Sequence, residues 1–167
     1  MSRPVDAIIL LAMLSLAGSA FARTSDRNQP MDVESDRTDA DIGDNGEAVL
    51  SGNVKITQGS LEVGADKATI KRSDGDISEV VLTGTPATLH QVNDNGETMN
   101  AQAAQITYYT AGKDLIVLSG GVVIEQPRGT LRGETIKYDL KTGRLDGGGD
   151  GSRVHMRIMP KTTAAGG

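Results

Sequence analysis

The side chains able to do acid–base or metal chemistry in this 167-residue chain are two histidines, His90 and His155, and 22 aspartates and glutamates; cysteine is absent. Each histidine stands alone in an alternating apolar–polar run, at a polar position beside apolar ones, which is the setting of a strand residue facing water. Asp146 and Asp150, within the glycine cluster of Gly147, Gly148, Gly149 and Gly151, resemble one copy of a calcium-binding Gly-Asp repeat. A single copy cannot supply the six to eight oxygens that calcium takes, so a flexible turn is the better reading. Nucleophile elbows, phosphate-cradling glycine loops and zinc-ligand spacings are missing. A carboxylate pair of the glycosidase kind stays open on sequence alone, but the acids concentrate in turns, where solvated charge is expected. The residues therefore predict neither an enzyme nor a bound cofactor or metal.

Composition narrows the remaining classes. Without cysteine there are no disulfides, and the chain must be held by sheet hydrogen bonds and burial. There is no tryptophan, and beyond Phe21 the aromatics are Tyr108, Tyr109 and Tyr138. A net charge of -5 with so few rings argues against nucleic acid as a partner. At the start, the apolar run Ala7–Ala17, interrupted by Ser15, leads to Ala20-Phe21-Ala22, the pattern of a cleavable secretory signal over residues 1–22. The expectation is an exported, soluble protein of one domain over residues 23–159, followed by a disordered tail over 160–167.

The elements are strands. Leu50-Ser51-Gly52, Leu82-Thr83-Gly84 and Leu118-Ser119-Gly120 nearly rhyme, with a fainter Leu145-Asp146-Gly147, and the runs after them alternate apolar and polar residues. Turn signals fall at Asp44-Asn45-Gly46, Gln58-Gly59-Ser60, Ser73–Asp76, Asp94–Gly96 and Pro127–Gly129. Between them the reading places a first strand at Met31–Ser35, runs at Ile77–Leu82 and Ala87–Gln91, and a last strand through Val154, Met156 and Ile158. Met99–Gln105 reads as strand, with a turn of helix as the alternative. The fold class is all-β, roughly a dozen strands in a sandwich, a jelly roll or a short solenoid. The inward set includes Val54, Ile56, Val63, Ile106, Leu118 and Ile124, with Gly52, Gly84 and Gly120 expected to leave room between the faces. Such an interior is either an ordinary core or a groove for acyl chains. Unpaired edge strands would let copies add to one another head to tail.

Gln29-Pro30-Met31-Asp32-Val33-Glu34-Ser35-Asp36, Leu50–Gly59 with Ala65-Asp66-Lys67, Pro86–Gln91 with Asp94-Asn95-Gly96, and Lys113–Gly120 together resemble the OstA-like lipopolysaccharide-transport family. The likeness covers about residues 29–145. It implies an antiparallel, twisted β-jelly roll whose interior holds lipid A acyl chains. It further implies a periplasmic bridge that passes lipopolysaccharide from inner to outer membrane. The N-terminal edge would meet an inner-membrane-anchored, LptC-like component, and the C-terminal edge an outer-membrane, LptD-like translocon. By matching position, Met31, Val33, Leu89 and Tyr108 become interior lipid contacts. Met31, Val33, Ser35, Val154, Met156 and Ile158 become the partner-binding edge positions. The alternative is a periplasmic structural adaptor that joins partners by strand addition and carries no lipid. The family resemblance loosens after Gly147, where the register of the last strand is not set by the sequence.

Overall fold

Aliphatic and β-branched residues at every second position, separated by glycine- and asparagine-rich turns, leave the chain one economical solution, an antiparallel meander with one apolar face. The computed structural model describes residues 26, 29–110, 112–139, 141, 142, 144–148 and 151–160. The expected signal segment, Asp150 and residues 161–167 lie outside them. Ten strands form one sheet: β1 (Met31–Glu34), β2 (Arg37–Ala40), β3 (Glu47–Gln58), β4 (Leu61–Ser73), β5 (Asp76–Val92), β6 (Thr98–Tyr109), β7 (Leu115–Gln126), β8 (Gly129–Asp139), β9 (Leu145–Gly147) and β10 (His155–Ile158). The hydrogen-bonded path runs β1-β3-β4-β5-β6-β7-β8-β10; β2 pairs with the other half of β3, and β9 with the other half of β8. Every pairing is antiparallel. No described helix is long and apolar enough to cross a membrane.

Several expectations sharpen or change. The runs Ile77–Leu82 and Ala87–Gln91 are one strand, β5, and Met99–Gln105 is strand rather than helix. β2 was not anticipated: Arg-Thr-Asp-Ala lacks apolar alternation, and all four residues are exposed. Ser35 and Val154 fall just outside β1 and β10.

The rhyming phrases have a structural meaning. In β3 the register shifts between Ser51 and Val54, in β5 between Thr83 and Ala87, and in β7 between Ser119 and Val122. The glycine of each of these three phrases therefore sits in a β-bulge, and the bulges line up on alternate strands across the sheet, whereas Leu145-Asp146-Gly147 pairs in regular register. Gly52 and Asn53 have φ of 79° and 45°, and Gly120 and Gly121 have 81° and 60°. These are left-handed conformations that glycine and asparagine adopt at least cost. The glycines do not widen the interior, as the alternation suggested. A Cβ on Gly120 would lie 2.6 Å from the Ala104 Cβ, and the space beside Gly52 is taken by Asp36, which accepts a hydrogen bond of 2.8 Å from Asn53 Nδ2.

The registers assemble the apolar residues into rows. Leu50, Ala68, Leu82, Ile106, Leu118 and Ile136 lie opposite one another in turn on one side of the bulges. On the other side, Val33, Ile56, Val63, Leu89, Ala101, Ile124, Leu131 and Met156 cross the entire path. A face one residue deep stays wet unless something covers it, yet Ile136 is 0 % and Val122 1 % exposed. The described apolar layer available to cover one half of this face is its other half, so the sheet creases at the bulges and closes on itself.

Candidate functional site: an apolar face with two open edges

The expected interior residues separate into three environments along this face. Val54, Ile56, Val63, Ile106, Leu118 and Ile124 are buried in a continuous cluster. Leu89 and Tyr108 are half-buried. Met31 and Val33 share the face but are exposed, because β1 is a terminal strand and no described residue is laid over it. Alternation reports which face a residue takes; it is silent on whether that face is covered.

The centre of the face is filled by its own side chains, and the ends are wetter. At one end Ile70, Val80 and Ile116 are only partly buried against the core; at the other Leu61 and Met99 are. Ile70, Val80, Tyr108, Ile116 and Tyr138 form a row at the first end. Burial raises the Tyr138 hydroxyl pKa to about 12, with the neighbouring Asp139 charge adding to the effect. Two surface depressions open on the sheet. One of about 360 Å³ is lined by Thr88, His90, Asn100, Gln102, Glu125 and Arg132 among others, mostly from the outer face. Within it His90 Nδ1 and Asn100 Oδ1 are 2.7 Å apart. A second of about 310 Å³ lies between the β5–β6 and β7–β8 turns. No group of three or more His, Asp or Glu among the described residues could hold a metal ion.

The sheet's edges are the second feature. Among the described residues β1 and β10 each have a strand partner on one side only, and they carry exposed apolar side chains on the inner face: Met31 and Val33 on one, Met156 and Ile158 on the other. Sequence reading missed two residues that fix this end of the molecule. Asp26 is buried against Gly59 and accepts a hydrogen bond from Ser60 Oγ, tying the segment before β1 to the β3–β4 turn. Asn93 is buried and holds the β5–β6 turn, its Oδ1 accepting from the backbone N–H of Asn95 and of Glu97, each at 2.9 Å. The asparagine ahead of Asp94-Asn95-Gly96 was the available signal, since Asn caps turns through its own side chain.

An open, bulge-creased antiparallel sheet of this kind has known counterparts. The family described as LptA/(LptD N-terminal domain) LPS transport protein matches residues 32–144. The chain belongs to that family. The lipopolysaccharide export system protein LptA of Haemophilus influenzae is 35% identical over 158 residues, 92% of this chain and 91% of that protein. LptA of Escherichia coli K12 is 32% identical over 159 residues, covering 93% and 85%. LptH of Pseudomonas aeruginosa, another lipopolysaccharide export system protein, is 31% identical over 168 residues, covering 93% and 95%. The crystal structure of P. aeruginosa LptH, titled as the LptA-homologous periplasmic component of the lipopolysaccharide transport device, superposes with a TM-score of 0.69 at 28% identity, over 81% of this chain and 99% of that one. These relatives are transport proteins, and the fold expected from the OstA-like resemblance is the one found.

Proposed function

We propose that this protein is a periplasmic carrier of lipopolysaccharide, holding acyl chains along its apolar face and passing them to neighbours joined at its edges. The observation that carries the reading is the row from Val33 to Met156, an apolar stripe that crosses the sheet and ends uncovered at both edges. Burying a methylene is worth about 0.8 kcal/mol, so a chain of a dozen carbons gains on the order of 10 kcal/mol. Release of such a lipid into water is then very slow, and the cargo moves only where another apolar stripe continues the first. The edges supply that continuation through strand addition. The eight strands of the path alternate in direction, so a second copy placed by translation sets its β1 antiparallel to the first copy's β10. On this reading the β1 edge receives from an inner-membrane-anchored component of the LptC kind, and the β10 edge delivers to an outer-membrane component of the LptD kind.

The packed centre favours a second reading, a structural adaptor that joins partners by strand addition without cargo. Photo-crosslinking residues at Val54 and Tyr108 separate the two. The carrier gives lipopolysaccharide adducts from both positions and none from the exposed Glu62. The adaptor gives adducts from none of the three, or from Glu62 alone, and binds no fluorescent acyl probe.

A further inference from the structure

The outer faces of the two edge strands carry opposite charge. On β1 the charged residues are Asp32 and Glu34, with Asp36 just beyond; on β10 the charged residue is Arg157, with Arg153 just before the strand and the polar His155 between them. The inner-face positions between them are apolar, Met31 and Val33 against Met156 and Ile158. Among the described residues the ion pairs are Lys71–Glu79 and Lys141–Asp114, so no edge residue is in an ion pair, although Lys55 stands opposite Glu34 across the β1–β3 register. Both clusters occupy the same half of the sheet, because β1 pairs with Lys55–Gln58 and β10 with Gly129–Arg132, which the registers connect.

From this we infer that the edge charges fix the polarity and register of the junction between two copies, setting Asp32 opposite Arg157 and Glu34 opposite His155. The inference rests on the proposed edge-to-edge stacking and deepens it. If the apolar row continues unbroken, Val33 of one copy lies opposite Met156 of the next. Antiparallel pairing then dictates the rest: Met31 meets Ile158, Asp32 meets Arg157 and Glu34 meets His155. Asp36 and Arg153 flank this register, Asp36 being already engaged by Asn53. One alignment thus satisfies the apolar row and the charges together. Joining β1 to β1 would set acid against acid, and joining β10 to β10 base against base, so the two closed arrangements are disfavoured. In the other half of the sheet the corresponding row would place Asp39 of β2 opposite Asp146 of β9. The attraction therefore resides in the β1–β10 half.

The test uses the purified full chain, which has no cysteine of its own. Val33→Cys and Met156→Cys variants are mixed under mild oxidation, and a disulfide joining one to the other is expected. A link between two Val33→Cys chains, or no association of any kind by sedimentation, overturns the stacking itself. Charge is tested separately. Asp32→Arg with Glu34→Arg, and His155→Glu with Arg157→Glu, are each expected to weaken self-association about tenfold or more, and an equimolar mixture of the two to restore it. The milder Asp32→Asn with Glu34→Gln keeps the test open should a reversal variant misfold by circular dichroism. It is expected to weaken association about threefold and to lose the salt dependence of the native chain. Reversal and neutralised variants that associate like the native chain, or a mixture that stays dissociated, overturn the charge inference while the disulfide result leaves stacking standing.

Discussion

Tyr138 lies in the apolar row at one end of the interior and is 7 % exposed. Its hydroxyl is raised from 10.0 to about 12 by burial, so folding favours the neutral phenol. That contribution is complete below pH 10, falls as the unfolded chain ionises, and is gone once the pH passes about 12. Alkaline absorbance titration is expected to show one tyrosine ionising near 12. Stability measured in urea is expected to decline between pH 10 and 12 more steeply in the native chain than in Tyr138→Phe. Which face such residues take was legible from alternation alone: Val54, Ile56, Val63, Ile106, Leu118 and Ile124 are all buried. How deeply was not, because depth depends on what covers the face. Met31 and Val33 share the phase and remain exposed for that reason.

At the scale of elements, the bulges carry the most information that the sequence displayed without its meaning being readable. Three Leu-(Ser/Thr)-Gly phrases read only as a loose repeat when periodicity alone is considered. Their position mid-strand emerges once the partner registers are known, since a bulge is defined by the strand beside it. β2 was invisible for a related cause, its pairing to β3 being made by backbone groups with no apolar signature in Arg37–Ala40. The bulge in β7 can be tested by comparing two substitutions. Gly120→Ala adds a Cβ 2.6 Å from the Ala104 Cβ at φ 81°, whereas Gly96→Ala enters open space at φ 77°. Both pay for the left-handed backbone, about 1 kcal/mol, and Gly120→Ala is expected to lose about 1–3 kcal/mol beyond that in urea unfolding. Equal losses would mean that the crease does not depend on close approach at this bulge.

For the molecule as a whole, the chain closes its interior by creasing one sheet rather than by stacking two, and it leaves both ends of that sheet unfinished. Val122 and Ile136 at the centre are almost wholly buried, so on the carrier reading an acyl chain entering there would have to displace its neighbours. On that reading a guest would wedge apart what the two leaves hold together, as a slider parts a zip. Occupancy would then be felt as loosening: amide hydrogens near Ile136 are expected to exchange faster when acyl chains are bound, the reverse of ordinary ligand protection. On the proposed carrier role, the same burial would keep the greasy lining out of reach of stray amphiphiles between one cargo and the next.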